Sequence, residues 1–274
     1  MEIACPSGGK NCIEMKRKIV SFLLLFLTVI VTISFAQKGK QEFYEIKIYT
    51  LRDRSQQSRV DAYLKDAYIP AMHRAGIKSI GVFVPVESDT TSGKRIYVLT
   101  PYSSLDQFTK LTVGVLSDPD YLTSGRDYID AVYTNAPYAR IESMLLRAFS
   151  GMPSIGLPVL ATPRSERIYE LRSYESPTEK IHVNKVKMFN DGDEVGLFKR
   201  LGFNAVFYGD VISGSHMPNL MYMTTFANRA SRDEHWKSFS DDSQWKNLKA
   251  MEEYQNNVSK NTIYFLHPVE YSDY

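Results

Sequence analysis

Two seven-residue stretches of the sequence decide the fold, because each is a version of the other. They are Phe43-Tyr44-Glu45-Ile46-Lys47-Ile48-Tyr49 and Ile168-Tyr169-Glu170-Leu171-Arg172-Ser173-Tyr174. Both follow the order aromatic or aliphatic residue, Tyr, Glu, aliphatic residue, base, any residue, Tyr, at an offset of 125 positions. Their aromatic and β-branched residues, with alternating polarity, predict a strand over 43–51 and another over 166–174.

The offset persists along the chain, which indicates a tandem duplication. Ala75-Gly76-Ile77 matches Leu201-Gly202-Phe203, and Ile96-Tyr97-Val98 matches Met221-Tyr222-Met223. A repeat of this length has to be recognised before the fold is assigned, since each copy is then one structural unit. We place repeat 1 at 43–149 and repeat 2 at 166–270.

A segment rich in proline and glycine, residues 150–165, separates the two repeats. Such a composition cannot continue a helix or a central strand, so it predicts a linker. Its apolar residues, among them Ile155, Leu157 and Val159, predict that it packs along the surface of the protein.

Each repeat predicts the element order β-α-β-β-α-β. The hairpins are expected at 77–86 with 94–101 and at 203–212 with 219–226, and the closing strands near 139–149 and 262–269. Pro70 and Gly196 occupy matching places and predict a break or kink in both first helices. This order is the ferredoxin-like split unit, an α+β fold with helices on one face of the sheet. Two such sheets can pack face to face or close into a barrel with the helices outside.

These motifs resemble the NIPSNAP domain, together with Leu201-Gly202-Phe203 and the helix start at 240–245. The resemblance covers both repeats and implies a pseudo-dimeric α/β barrel, since the family belongs to the dimeric α/β-barrel (ferredoxin-like) superfamily. Repeat 1 departs from the motif at Lys47, where Arg is usual, and at Tyr121, where repeat 2 has Trp245. The resemblance implies no particular reaction, because the superfamily holds monooxygenases, isomerases, haem-handling enzymes and non-catalytic binders.

The N-terminal segment has the pattern of a secretory signal peptide. Lys16-Arg17-Lys18 precede an apolar run at 19–35, and Ser34-Phe35-Ala36 offer small residues before a cut at Gln37. We therefore expect residues 1–36 to be removed on export, which places the protein outside the cell or in the periplasm. A retained membrane anchor is the alternative, because the run is close to the length that spans a bilayer.

Translation could also begin at Met15, directly before the basic triplet. Residues 1–14 would then be an upstream extension with no structural role.

Charge and cysteine content narrow the range of partners. The chain has 33 Lys and Arg against 31 Asp and Glu, a net charge of +2, and two cysteines, Cys5 and Cys12. Removal of residues 1–36 leaves a neutral chain without cysteine, which suits an oxidising compartment. We expect neither nucleic-acid binding nor a thiolate metal site, and membrane contact only through an uncleaved N-terminal segment.

The most specific candidate site is a polar stripe that recurs in both repeats. Strand alternation places Glu45, Lys47 and Tyr49 on one face of the first strand, and it places Glu170, Arg172 and Tyr174 on the equivalent face of the other. One interpretation is a stripe that lines a ligand cavity, with the base holding an anionic group. The interpretation that we favour is that these groups pair with one another across the seam between the two sheets, since buried charges must be paired.

Further candidates are single aromatic or histidine residues. A closed apolar cavity between sheet and helices containing Tyr49, Tyr97 or His73 would indicate an enzyme, and Tyr222 is the repeat counterpart of Tyr97. If haem is bound, His73 or His182 is the axial candidate.

These observations lead to an expected function without a defined reaction. No spacing of histidines matches a metal site, so we predict no metal and no required cofactor. We expect a protein that binds a small apolar or aromatic ligand, or a protein partner, with a barrel-type enzyme or a haem-handling protein as alternatives. The tandem chain can complete its own barrel as a monomeric pseudo-dimer, and a homo-oligomer is the other possibility.

Overall fold

Eight strands and nine α-helices form from residues 39–274, the part of the chain that the computed structural model describes. The strands are β1 (Phe43–Thr50), β2 (Gly81–Pro85), β3 (Arg95–Tyr102), β4 (Arg140–Ala148), β5 (Ile168–Glu175), β6 (Asn204–Ser213), β7 (Asn219–Phe226) and β8 (Lys260–Pro268). The helices are α1 (Arg54–Tyr63), α2 (Ile69–Arg74), α3 (Leu105–Gly114), α4 (Pro119–Ser124), α5 (Arg126–Ile129), α6 (Glu179–Asn190), α7 (Glu194–Arg200), α8 (Arg229–Asp241) and α9 (Ser243–Ala250).

The predicted signal peptide, the alternative start at Met15 and both cysteines lie outside the described residues. Within residues 39–274, no helix combines the length and the apolar character needed to cross a membrane.

The strands close into one barrel in the order β1-β3-β2-β8-β5-β7-β6-β4. Repeat 1 supplies β4-β1-β3-β2 and repeat 2 supplies β8-β5-β7-β6, each in the ferredoxin-like order. Two equivalent seams join the copies, because the closing strand of each pairs with the second strand of the other: β8 with β2 and β4 with β6. The predicted α+β fold, two tandem repeats that form a pseudo-dimeric barrel, is confirmed.

Side-chain alternation fills the barrel from both repeats. The inward residues of β1 and β5 are Tyr44, Ile46, Ile48, Tyr169 and Leu171, and all belong to one buried apolar cluster inside the barrel. An eight-stranded barrel is just wide enough to be filled by such side chains. The outward faces of the sheet are covered by the helices of each repeat, over separate apolar clusters.

The first helices of the two repeats are interrupted in different ways. In repeat 1 the chain widens into a π-helical turn over Leu64–Tyr68, directly before Pro70, and then continues as α2. This turn accommodates a proline that cannot donate a backbone hydrogen bond. In repeat 2 the break falls at 191–193, before Gly196, and Asp193 takes a left-handed conformation with φ 58°. The prediction of an interruption is therefore right, while its predicted position in repeat 2 is wrong by a few residues.

The linker crosses one end of the barrel. Its Ile155 packs against the interior cluster and donates its backbone N–H to the Glu42 carboxylate at 2.7 Å. The Gly156 N–H donates to the Val206 carbonyl at 2.8 Å. A Cβ at Gly156 would lie 2.7 Å from the Ala205 carbonyl oxygen, so the close approach of the linker depends on glycine.

The strand register corrects one match between the repeats. Ile48 pairs with Tyr97 across β1 and β3, whereas its counterpart Ser173 pairs with Met221 across β5 and β7. The structural offset here is 124, one less than the sequence match suggests. A slip of one residue changes the face of a strand. Tyr97 therefore points into the barrel, while Tyr222 lies under the helices of repeat 2.

Candidate functional site

The polar stripes of both repeats lie between the sheet and the helices. Tyr49 belongs to the apolar cluster under the helices of repeat 1, and Tyr174 packs against the corresponding cluster of repeat 2. The predicted alternation is right, but the predicted location at the seam between the sheets is wrong. The physical reason is that the alternate residues of β1 and β5 are aromatic and aliphatic and take the barrel interior.

In repeat 2 the stripe is a closed network centred on Glu170. Its fully buried carboxylate accepts hydrogen bonds from Arg172 Nε at 2.6 Å, from Arg232 Nε at 2.7 Å and from Trp236 Nε1 at 2.9 Å. Burial alone would raise the pKa of Glu170, but Arg232 and Arg172 outweigh it and lower that pKa. The carboxylate is thus ionised and has its acceptor sites filled by protein donors.

Arg172 is held on every side. Its guanidinium lies 3.6 Å from the centroid of the Trp236 ring, and its Nη1 donates to the Tyr174 hydroxyl at 2.9 Å. The Tyr174 and Tyr222 hydroxyls are 2.8 Å apart. The base of this stripe therefore has no free face for a ligand, and its role is to fix helix α8 on the sheet.

A second buried pair in repeat 2 lies beside this network. Lys185 Nζ is 3.2 Å from the Glu194 carboxylate, and both side chains are buried. Burial raises the pKa of Glu194 despite the opposing charge of Lys185. Neither residue was among the sequence candidates, because a lone Lys on a predicted helix gives no sign that it is buried.

Aromatic side chains occupy the rest of the space between sheet and helices in repeat 2. The rings of Phe198 and Phe239 stack with centroids 4.8 Å apart, and Trp245 lies 4.5 Å from Phe239. Ring pairs at these distances are close-packed. Beside the Glu170 network, the space under helix α8 is therefore filled by aromatic side chains of repeat 2.

The stripe of repeat 1 has the same residue order but fewer contacts. The Glu45 carboxylate accepts hydrogen bonds from Ser143 at 2.8 Å and Tyr102 at 3.2 Å, and Lys47 Nζ lies 3.3 Å from it. The Lys47 side chain is 26% exposed, whereas that of Arg172 is 9% exposed. Burial alone would lower the pKa of Lys47, but Tyr68 and Glu45 outweigh it and raise that pKa, so this base is a cation.

Tyrosines take the place of the Phe and Trp residues of repeat 2. The Tyr63 ring stacks on Tyr128 with centroids 3.7 Å apart, and its hydroxyl lies 3.0 Å from that of Tyr121. The Tyr128 hydroxyl donates to the Tyr49 hydroxyl at 3.3 Å. Burial raises the pKa of Tyr49, Tyr63 and Tyr128, so these phenols are neutral hydrogen-bonding groups.

This tyrosine cluster opens to solvent through a pocket of about 450 Å³, which we call the tyrosine pocket. Its lining includes Tyr121, Tyr128, Tyr133, Tyr138 and Arg140. Tyr133 is 95% exposed at the rim. The pocket therefore offers aromatic faces, phenol hydroxyls and one guanidinium in the same place.

The pocket exists because repeat 1 is longer here. Between the hairpin and the closing strand, repeat 1 has 37 residues (103–139) and repeat 2 has 33 (227–259). Helix α3 also buries none of its side chains, whereas α8 buries Phe239. The longer segment folds into the short helices α4 and α5 and a loop, and these leave the opening between helices and sheet.

The remaining sequence candidates lie elsewhere. Tyr97 faces the barrel interior, where burial raises its pKa to about 12. His73 Nε2 lies 2.9 Å from Asp273, and His182 Nε2 lies 2.8 Å from Asp210. The structure therefore does not bring Tyr49, Tyr97 and His73 into one cavity.

Neither histidine fits an axial haem ligand. The Nε2 atom that would bind iron is already held by a carboxylate in both rings, and neither ring lines the tyrosine pocket. Among residues 39–274, no three His, Cys, Asp or Glu side chains are grouped as metal ligands.

Arg140 and Tyr128 line the tyrosine pocket and were not among the residues that the sequence predicted. Tyr128 lies in the segment where the two repeats differ in length, and Arg140 is the first residue of β4 directly after it, so the repeat alignment could not point to them. A comparison of segment lengths between the repeats is the signal that could have found them.

Comparison with known proteins assigns a family to the second half of the chain. Residues 169–273 match the family model described as NIPSNAP. The second repeat is a NIPSNAP domain. This confirms the family resemblance for repeat 2. The NIPSNAP match does not extend to repeat 1, whose membership stays a prediction. Among curated proteins, none matches the sequence.

Among the solved structures that resemble this chain, two candidate monooxygenases cover most of both repeats. A candidate monooxygenase from Lactobacillus acidophilus NCFM is 12% identical, with a TM-score of 0.55 over 83% of this chain and 94% of its own. Another candidate monooxygenase, from Fusobacterium nucleatum, is 8% identical, with a TM-score of 0.55 over 84% of this chain and 93% of its own. A NIPSNAP family protein from Agrobacterium tumefaciens is 19% identical, with a TM-score of 0.35 over 39% of this chain and 97% of its own. The first two likenesses show the barrel fold.

Proposed function

We propose that this protein binds a small planar aromatic carboxylate in the tyrosine pocket of repeat 1. The observation that carries the proposal is the difference between the two repeats. The same stripe of Glu, base and Tyr is sealed by protein groups in repeat 2 and lies beside an open, phenol-lined pocket in repeat 1.

The size and lining of the pocket support a small aromatic ligand. A volume of about 450 Å³ falls in the range of ligand sites, roughly 300–1,000 Å³. Tyr128 and Tyr138 lie with ring centroids 5.6 Å apart and present aromatic surface to the opening. An aromatic ring of the ligand would pack against these faces in stacked or edge-to-face geometry.

The charge at the mouth supports a carboxylate on that ligand. Arg140 lines the pocket, and in the described structure the one hydrogen bond of its guanidinium goes to the neighbouring Ala139 carbonyl at 2.9 Å. A guanidinium presents a planar fork of donors that matches a carboxylate in bidentate fashion. Burial raises the pKa of Tyr128, so its hydroxyl stays protonated at neutral pH and acts as a neutral hydrogen-bonding group. These groups are suited to holding a ligand.

Calorimetric titration with 2-naphthoate tests the proposal, with 2-naphthol as the uncharged comparison. We expect saturable binding of 2-naphthoate at one site per chain. Arg140→Gln should weaken the affinity for 2-naphthoate about tenfold, as expected for the loss of one charge-assisted interaction, and leave the affinity for 2-naphthol unchanged. Arg126→Gln is the matched control, because Arg126 is exposed on helix α5 and does not line the pocket.

The proposal fails if Arg126→Gln and Arg140→Gln weaken the binding of 2-naphthoate equally, since the effect would then come from the net charge of the protein and not from a contact in the pocket. It also fails if Tyr128→Leu, in a protein that still melts cooperatively, leaves the affinity unchanged.

We also propose that the protein acts outside the cytoplasm. The proposal is supported by the signal-peptide pattern of residues 1–36 and by the lack of cysteine after position 12. The intact mass of the exported protein should correspond to a chain that begins at Gln37. A full-length mass in the membrane fraction would favour the retained anchor.

A further inference from the structure

The linker covers a second pocket, on the side of repeat 2, which we call the linker pocket. It has a volume of about 470 Å³. One wall is linker, with Met152, Pro153 and Leu157, and the other is repeat 2, with Val195 and Phe203. Most of this lining is apolar, and its polar side chains are Lys199, Asn204 and Tyr208.

The part of the linker over this pocket is fixed only at its two ends. At one end Gly156 donates to the Val206 carbonyl at 2.8 Å, and at the other Arg167 donates to the Leu160 carbonyl at 3.0 Å. Between these anchors, Leu157 is 58% exposed and Val159 is 92% exposed. This three-residue bridge exposes apolar side chains at the mouth of an apolar pocket, and a ligand with an apolar body would cover them.

One cation lies at the rim of the pocket. Lys199 is exposed near the C-terminal end of helix α7 and is part of the lining. The two ion pairs of α7 use Glu194 and Arg200, so among residues 39–274 the Lys199 ammonium has no carboxylate partner. An anion at this rim would meet an unpaired positive charge.

The corresponding space on the repeat 1 side of the linker differs in charge. It has about 360 Å³ and is lined by residues 76–79, the repeat counterparts of 202–205. Its lining includes the Glu42 carboxylate, the Lys78 ammonium and the polar side chains of Ser103 and Gln107. Glu42 opposes the positive charge of Lys78 there, whereas no carboxylate is among the lining residues of the linker pocket, so the linker pocket is the better match for an apolar anion.

We infer that the linker pocket is a binding site for an aliphatic carboxylate. The hydrocarbon chain of this ligand lies between the linker and Phe203, and its carboxylate group lies at Lys199. This site is separate from the tyrosine pocket in position and in ligand class. It does not depend on the function proposed above.

Titration calorimetry with decanoate, below its micelle concentration, tests this inference. We expect one saturable site in the purified protein. Lys199→Gln should raise the dissociation constant about tenfold, through loss of the charged contact. Lys187→Gln is the matched control, since Lys187 is an exposed lysine on α6 outside the pocket. Arg140→Gln should leave decanoate binding unchanged, which separates this site from the tyrosine pocket.

A filling variant, Val195→Phe, should abolish decanoate binding while the thermal unfolding transition is retained. The inference is overturned if decanoate does not bind. It is also overturned if Lys187→Gln weakens decanoate binding as much as Lys199→Gln does, or if Arg140→Gln abolishes decanoate binding. If Val195→Phe does not fold, the two lysine variants decide the question alone.

Discussion

The two repeats share one fold and one stripe of Glu, base and Tyr, yet they use the space under their helices differently. In repeat 2 the carboxylate of Glu170 accepts hydrogen bonds from two arginines and a tryptophan, and stacked aromatic rings fill the space beside it under helix α8. In repeat 1 the carboxylate of Glu45 accepts hydrogen bonds from two hydroxyls and lies near one partly exposed lysine, and tyrosines border a pocket. The difference shows that the two copies of a duplicated unit can serve different roles: one fixes its helix tightly on the sheet, and the other keeps an opening between helices and sheet.

The largest expected effect is the loss of stability when the buried carboxylates are removed. Glu170→Ala leaves two arginine side chains without their partner in a buried site, which should cost about 3–5 kcal/mol of unfolding free energy. Glu45→Ala should cost less, about 1–3 kcal/mol, because Lys47 can reach solvent and the other partners are neutral hydroxyls. Urea denaturation of both variants measures this difference. Equal losses would contradict the division of tasks between the repeats.

A smaller effect is expected in the acid range. Since the pKa of Glu170 in the folded protein lies below its ordinary value of 4.5, its ion pairs contribute their full stability above about pH 4.5. That contribution is lost as the pH falls through the lower pKa of the folded state. Glu170→Gln should therefore differ most from the wild-type protein in unfolding free energy at neutral pH, and the two should converge once the pH is below the lowered pKa of the folded state. A difference that stays constant from neutral to acid pH would show that Glu170 is not ionised in the fold.

The duplication, the strand order and the closure of the barrel could be predicted from the sequence, because they rest on repeated local patterns. The alternation of Glu45 and Lys47 also predicts which residues share a face. It could not predict which layer that face meets, since both faces of β1 are buried and each has aromatic residues. The same limit caused the mismatch of Tyr97 with Tyr222, because an insertion of one residue changes the face without changing the motif.

Less of the candidate site could be predicted from the sequence. Arg232 and Trp236 lie more than 60 positions from Glu170, and their contact depends on how helix α8 rotates over the sheet. Arg140 reaches the tyrosine pocket only because the extra residues of repeat 1 fold into α4, α5 and a loop. Such contacts come from tertiary packing, and no local sequence pattern predicts them.

The central claim, that repeat 1 is open to an aromatic ligand and repeat 2 is closed, has one direct test. Both tryptophans of the chain, Trp236 and Trp245, lie in repeat 2, while Tyr128 and Tyr138 line the pocket of repeat 1. In a protein labelled with ¹³C on tyrosine rings and ¹⁵N on tryptophan indoles, 2-naphthoate should shift the Tyr128 and Tyr138 signals in a saturable way and leave both indole signals in place. Shifts of the indole signals with unchanged Tyr128 and Tyr138 signals would contradict the account.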